Sequence, residues 1–220
     1  MTQLLRDLNL VSRFPRREDV DSANKKRMSQ LTGEAHEYPA SDGGTIQDAK
    51  QRTTMLANFL APETLVLRLN SQVMLIKNTD ETLVNGSMGH VIGFYDPATF
   101  RLDSKGEPEI FEEVFENTAQ GKRAKAKKAK MIAEGSVLKY PYVRFPIAGS
   151  RGLHRDVLVQ PESFKVELPN GEVQASRTQF PLILAWAMSI HKSQGQTLDR
   201  VKVDLSRVFE KGKPLCSIFL

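Results

Sequence analysis

Five consecutive residues could form a site for a phosphate group: His191, Lys192, Ser193, Gln194 and Gly195. Lysine supplies a positive charge, serine and glutamine supply neutral hydrogen bonds, and glycine lets a ligand approach the backbone closely. This combination suits the phosphates of a nucleic acid or a nucleotide. The same residues also fit a polar helix end, where lysine and histidine are favourable in any case. Composition alone favours this second interpretation.

The residues before and after this segment must position it. Residues 181–190 are mostly apolar and begin with Pro181, which suits the first position of a helix. Leu182, Ala185 and Trp186 would share one helical face, and Gly195 would end the helix. Residues 200–205 then predict a strand. The sequence therefore predicts a helix, a polar loop and a strand at this end of the chain, which is typical of an α/β domain.

A second helix is predicted near the start of the chain. Apolar residues recur at helical spacing over residues 17–31, with Asn24 on or near the apolar stripe, and Gly33 follows as a stop signal. Asn24 could line a nucleic-acid face or be an ordinary exposed helix residue. Residues 34–54 are polar and contain two adjacent glycines, and they predict a long loop or linker.

The middle of the chain predicts short strands. Leucines recur at every second position at 65, 67 and 69, and Val73 and Leu75 have the same spacing. Further strands are predicted at 137–145 and 156–168. Asn85-Gly86 and Asn170-Gly171 are typical of tight turns. This pattern favours a small barrel or sandwich of the SH3-like kind. The predicted architecture is a β-barrel inserted between two pieces of an α/β domain.

Charge is unevenly distributed. The chain carries 31 Lys and Arg against 26 Asp and Glu, but residues 107–116 hold five Glu and residues 122–130 hold six Lys or Arg. The basic run fits a DNA-binding arm or a nuclear signal, yet a solvated insertion neutralised by the preceding acids is the favoured interpretation. A pI near 9.3 permits nucleic-acid binding without requiring it.

Several classes of protein are excluded or disfavoured. No apolar run approaches the ~18 residues of a membrane span, and the first residues lack the pattern of a secretory signal. The single Cys216 excludes an internal disulfide and a cysteine-based zinc site. His36, His90 and His154 are isolated and lack metal-ligand spacing.

Two further residues have a functional and a structural interpretation. Lys77 could bind a phosphate, but a solvated lysine at a strand end is favoured. Trp186 could stack on a base, but its place in an apolar segment favours core packing.

The sequence resembles a known helicase family along most of its length. Residues 184–201, LAWAMSIHKSQGQTLDRV, closely resemble motif V of superfamily-one DNA helicases of the 5′-to-3′ branch, specifically the Pif family. Residues 65–94 are similar to that family's inserted SH3-like domain, in which a glycine is frequent where Asn70 stands here. Residues 12–34 resemble its motif IV segment.

The resemblance implies a fold and a division of the chain. The fold class is α/β, part of a second RecA-like helicase lobe (of the P-loop NTPase type) with an inserted small SH3-like β-barrel. Residues 1–60 would be the first piece of the lobe and residues 61–178 the barrel, with a charged insertion at 103–135. Residues 179–220 would be the second piece of the lobe, with motif V and a divergent tail.

The resemblance also implies roles for the polar segment. His191, Lys192 and Ser193 would bind the DNA backbone, while Gln194 and Gly195 would sense the phosphates of ATP. Motif V would then couple the nucleotide state to tracking along single-stranded DNA. The whole enzyme would act as an ATP-dependent 5′-to-3′ DNA helicase in replication, recombination, repair and telomere maintenance, in nucleus and mitochondrion.

Cofactors and partners follow from the same resemblance. The full-length enzyme would use ATP and Mg²⁺, and it would act on single-stranded DNA and DNA junctions with a first motor lobe, without a membrane. This chain contains no G-x-x-x-x-G-K-[ST] loop and no arginine after Arg207, where the family has the arginine of motif VI. We therefore expect no ATP hydrolysis by this chain alone. The alternatives are a non-catalytic module that binds single-stranded DNA, or a truncated gene product.

Overall fold

The computed structural model describes residues 10–14, 16–102, 108–110, 138–147, 152–189 and 200–203. This part of the chain contains two helices, α1 (Arg17–Ser29) and α2 (Ala49–Ala57). Its strands are β1 (Leu10–Phe14), β2 (His36–Pro39), β3 (Ser41–Gly43), β4 (Thr64–Leu67), β5 (Gln72–Leu75), β6 (Met88–Tyr95), β7 (Phe100–Leu102), β8 (Pro108–Ile110), β9 (Tyr140–Pro146), β10 (His154–Leu158), β11 (Glu162–Glu167), β12 (Val173–Gln179), β13 (Leu182–Leu184), β14 (Ala187–Ser189) and β15 (Arg200–Val203). The fold is mixed α/β and consists mostly of strands.

A parallel three-stranded sheet joins the two ends of the described chain. Its strand order is β14-β1-β15, and α1 packs against β14 and β1. The strand predicted at residues 200–205 is confirmed for β15. The helix predicted at residues 181–190 is wrong, because β13 and β14 occupy its described part. A short apolar run fits a buried strand as well as a helix. Here the run forms strands because it pairs with β5 and β1.

Helix α1 confirms the prediction made from helical spacing. Glu18 and Asp19 lie in its first turn and Lys26 and Arg27 in its last, which suits the charge distribution of the helix dipole. The helix ends at Ser29, four residues before Gly33, which has a φ of 101°.

The polar segment 34–54 is structured, and the predicted loop is wrong there. It contains β2, β3 and the start of α2, where the carboxylate of Asp48 accepts bonds from the backbone N–H groups of Lys50 and Gln51 at 2.8 and 3.2 Å. Strand β2 pairs with β4, and β3 pairs with β12. Tyr38 anchors β2, since only 2% of its surface is exposed. Sequence-distant pairing stabilises strands that local polarity disfavours.

An antiparallel sheet of five strands follows the order β10-β9-β6-β5-β13. The strands predicted in this region are confirmed, and a register shift between Val91 and Gly93 marks a bulge in β6. The second sheet, β11-β12-β3, contains the predicted Asn170-Gly171 turn, with φ of Gly171 at 84°. Gly86, with φ at 98°, also lies in a turn, but within the longer connection between β5 and β6.

Two apolar cores meet at β5. Val73 and Leu75 belong to a core built mainly from the antiparallel strands, whereas Met74 and Ile76 belong to a second core. The second core also contains Val11 and Met188 of the parallel sheet, and Ala185 from the connection between β13 and β14. Successive side chains of a strand point to opposite faces, so β5 separates the two cores and contacts both. Neither described helix is long and apolar enough to cross a bilayer.

Candidate nucleic-acid interface

The five predicted site residues, His191 to Gly195, lie outside the described residues. The described chain reaches Ser189, the last residue of β14, and resumes at Arg200. The structure therefore describes the strand that precedes the candidate segment in the sequence. It does not test the residue roles expected from motif V.

Strand β14 brings the chain to the carboxyl edge of the parallel sheet. Ser12 is aligned with Ala187 and Phe14 with Ser189, so β1 and β14 end side by side. The backbone N–H of Ser12 donates to the carbonyl of Trp186 at 2.9 Å. In open α/β sheets, ligands bind outside the carboxyl ends of the strands. In the sequence, the candidate segment follows directly on the strand that ends at this edge.

Asn24 fixes β14 from the helix side. Its Nδ2 donates to the carbonyl of Ala187 at 3.1 Å, and its Oδ1 accepts from the N–H of Ala187 at 2.9 Å. The side chain is buried, with 8% of the residue exposed. The interpretation of Asn24 as an exposed helix residue is wrong. Its place on the apolar stripe of α1 was the signal that it faces the fold.

Gln72 fixes the same segment from the antiparallel sheet. Its Nε2 donates to the carbonyl of Ala185 at 3.0 Å, and its own carbonyl accepts from the N–H of Ala185 at 2.9 Å. Gln72 is 1% exposed and Ala185 is fully buried. Sequence reasoning missed this residue. The available signal was a carboxamide at the start of an otherwise apolar strand.

A turn between β4 and β5 contacts the end of α1. Arg68 donates from Nη1 to the carbonyl of Leu31 at 2.9 Å, and the hydroxyl of Ser71 lies 3.8 Å from the sulfur of Met28. Asn70 has a φ of 66° within this turn. Glycine and asparagine are the residues that adopt this left-handed conformation most readily, so Asn70 fits a position where the resemblance leads us to expect glycine.

Lys77 has protein partners. Its Nζ donates to Oε2 of Glu162 at 2.8 Å and to the carbonyl of Ser163 at 3.4 Å, and it lies 5.7 Å from the centroid of the Phe164 ring. Both side chains of the ion pair are largely exposed. These contacts tie the end of β5 to β11, and they support the structural interpretation of this lysine.

Titratable groups in the described part of the chain do not form a metal site. No group of three or more His, Cys, Asp or Glu side chains there is arranged to hold an ion. Burial lowers the pKa of His36 and of His90. Hydrogen bonds from Thr82, from the N–H of Leu83 and from Arg155 lower the pKa of the exposed Asp80. Asp80 therefore organises the loop before Leu83 as a carboxylate.

Comparison with known proteins finds similarity to DNA helicases. A family model described as the 2B domain of the DNA helicase Pif1 matches residues 52–94. The chain is 50% identical over 212 residues to the ATP-dependent DNA helicase PIF1 of Emericella nidulans, an alignment that covers 94% of this chain and 28% of that relative.

Solved structures show the same relationship. The crystal structure of Pif1 helicase from Candida albicans has a TM-score of 0.72 and 36% identity, covering 96% of this chain and 43% of that one. A crystal structure of Bacteroides Pif1 bound to ssDNA has a TM-score of 0.51 at 19% identity over 96% of this chain and 37% of that one, a likeness of fold.

The chain is therefore related to DNA helicases. Its resemblance to the Pif family is confirmed, and it corresponds to a portion of the Pif1 helicases along most of its own length.

Proposed function

We propose that this chain is the later part of an ATP-dependent 5′-to-3′ DNA helicase and that residues 191–193 contact the backbone of single-stranded DNA. Gln194 and Gly195 would sense the phosphates of ATP. The observation that carries the proposal is the carboxyl end of β14, which Asn24 and β1 hold immediately before this segment. The names of the Emericella and Bacteroides proteins, a DNA helicase and a Pif1 bound to ssDNA, support the same substrate.

We propose a division into a helicase lobe and an inserted SH3-like barrel, with the first boundary earlier than the residue 60 that the resemblance implies. The parallel sheet and α1 would belong to the second RecA-like lobe, and the antiparallel strands to the barrel. Strands β2 and β3 pair with β4 and β12, so residues 36–43 would belong with the barrel strands rather than with residues 1–33. The match of residues 52–94 to the 2B domain supports this assignment.

The proposed ATP hydrolysis would require residues that lie outside the described part of the chain. ATP and Mg²⁺ would be held with a first motor lobe, because the sequence contains no phosphate-binding G-x-x-x-x-G-K-[ST] loop. The whole protein would act on single-stranded DNA and junctions in replication, recombination, repair and telomere maintenance, in nucleus and mitochondrion. As a second candidate function, the chain would bind single-stranded DNA as a non-catalytic module.

Replacing Lys192 by alanine tests the DNA contact. We expect weaker binding to an oligo(dT) strand at low salt, with the slope of log K against log salt reduced by about 0.7, because one phosphate contact is lost. Fluorescence anisotropy across a salt series measures both quantities. Lys50→Ala, at an exposed lysine of α2, is the matched control and should leave the slope unchanged. An unchanged affinity and slope for Lys192→Ala would show that this residue does not contact the DNA backbone.

A further inference from the structure

Two buried carboxamides hold the short segment that leads into the candidate DNA site. Gln72 bonds the backbone of Ala185, and Asn24 bonds the backbone of Ala187 two residues further on. One carboxamide comes from the antiparallel sheet and the other from the helix of the parallel sheet. Between these two points the chain leaves β13, which pairs with β5, and enters β14, which pairs with β1.

The bond from Gln72 extends the pairing of β5 and β13 by one residue pair. Leu184 lies opposite Val73 in the ladder, and the N–H of Ala185 then donates to the carbonyl of Gln72. Where the ladder ends, the carbonyl of Ala185 needs a hydrogen-bond donor other than the backbone of β5. Since Ala185 is fully buried, the side-chain amide of Gln72 takes the place of water as donor to that carbonyl.

The face of β5 that carries Gln72 also packs against the parallel-sheet side of the molecule. Residues 72, 74 and 76 share one face of the strand, and Met74 and Ile76 lie in the core that contains Val11 and Met188. Gln72 is the polar member of this contact. A shift of β5 must therefore move the segment 185–187 or break a buried hydrogen bond.

From these contacts we infer that Gln72 is a positioning residue for the segment 185–189, which it ties to the antiparallel sheet without touching DNA. This inference rests on the proposed function for its consequence at the DNA. It makes Gln72 different from Lys192. A contact residue changes the salt slope of binding, whereas a neutral positioning residue changes the affinity at constant slope.

The test compares Gln72→Met with Gln179→Met in the full 220-residue chain. Both glutamines are nearly fully buried, and each donates from Nε2 to a backbone carbonyl, that of Tyr38 at 2.8 Å in the case of Gln179. Gln179 bonds Tyr38, Pro62 and Phe180, and none of these lies in the segment 185–189. A role confined to stability would make the two variants alike.

Three readouts separate the roles: the melting temperature, the hydrogen exchange of the amides of residues 187–189, and the anisotropy of a labelled oligo(dT) across a salt series. We expect both variants to melt earlier. Gln72→Met alone should speed exchange at 187–189 by about tenfold, because losing the hydrogen bond to Ala185 makes local opening of this segment easier. It should also weaken DNA binding about 3- to 10-fold at unchanged salt slope. Equal exchange and equal affinity in the two variants would overturn the inference.

A second variant keeps the test decisive if Gln72→Met does not fold. Burial raises the pKa of a glutamic acid, and the protonated form of Gln72→Glu can donate to the carbonyl of Ala185. We expect wild-type exchange at 187–189 at low pH and faster exchange, relative to wild type, as the pH rises through that pKa. Exchange like wild type across the whole range would contradict the inference. If wild-type chain fails to bind oligo(dT), the proposed function fails, while the exchange contrast still decides on Gln72.

Discussion

An Asn24→Ala variant is expected to lose about 2–3 kcal/mol of unfolding free energy, because the buried N–H and carbonyl of Ala187 would each lose a partner at about 1–3 kcal/mol. Alanine is the better helix former by about 0.6 kcal/mol, which offsets part of this loss. Urea denaturation followed by circular dichroism measures the difference.

The control for this variant is another helix-associated asparagine. Asn58 is exposed and caps the end of α2, and Asn58→Ala should change the unfolding free energy by less than about 0.5 kcal/mol. Asn24→Asp separates the two bonds, since it keeps the acceptor for the N–H of Ala187 but places a carboxylate oxygen beside its carbonyl. If Asn24→Ala were as stable as wild type, the two hydrogen bonds between Asn24 and Ala187 would not stabilise the protein in solution.

An Asp42→Ala variant is expected to lose about 3 kcal/mol, because it leaves the buried guanidinium of Arg177 without its carboxylate partner. Arg177 donates from Nε and Nη2 to the two carboxylate oxygens of Asp42 at 2.7 and 2.8 Å, and from Nη1 to the carbonyl of Ala61 at 3.1 Å. The Arg177 side chain is only 7% exposed. This contact ties β12, β3 and the segment before β4 together.

The exposed pair of Lys77 and Glu162 is the matched control. Its Nζ–Oε2 distance of 2.8 Å is similar, but its side chains are 43% and 47% exposed. Glu162→Ala should therefore cost at most about 1 kcal/mol, because solvent screens an exposed pair. Equal losses for Asp42→Ala and Glu162→Ala, measured by urea denaturation, would show that burial does not set the energy of these pairs.

The same pair, in which the Asp42 side chain is 25% exposed, makes a contribution to stability that depends on pH. The hydrogen bonds from Arg177 hold the pKa of Asp42 below its ordinary value of 3.8. The pair is therefore fully stabilising above about pH 4, and its contribution is lost as the pH falls through the lowered folded-state pKa. The difference in unfolding free energy between wild type and Asp42→Ala should shrink over that acidic window and stay constant above it.

Local patterns predicted those elements whose residues carry a strong period or a strong turn signal. Helix α1 follows from its 3.6-residue spacing, and the hairpin of β11 and β12 follows from Asn170-Gly171. Residues 181–190 misled the prediction because an apolar run of this length has no period that separates helix from strand. Strands β2 and β3 were missed because their stability comes from partners in β4 and β12, at distant positions in the sequence.

The support of the candidate site was predictable only in part. Asn24 was noticed because it lies on an apolar stripe, but its bonds to Ala187 require knowledge of a strand 163 residues away. Gln72 was not noticed, since its role depends on where β13 ends. The motif at residues 191–195 came from resemblance to the Pif family, while composition alone favoured a polar helix end. A side chain that hydrogen-bonds to the backbone of a residue distant in the sequence has only one local signal. It is a polar residue at a position where the pattern predicts a buried, apolar one.

We propose that this chain, which is similar to a portion of the Pif1 helicases, binds single-stranded DNA by itself. The most direct measurement is the fluorescence anisotropy of a labelled oligo(dT) titrated with the folded chain between about 50 and 200 mM salt, with phosphate release from ATP followed on the same sample. We predict binding with a Kd of about 10⁻⁶–10⁻⁴ M that weakens as salt rises, without ATP turnover. A folded chain that shows no binding at the lowest salt would contradict the claim.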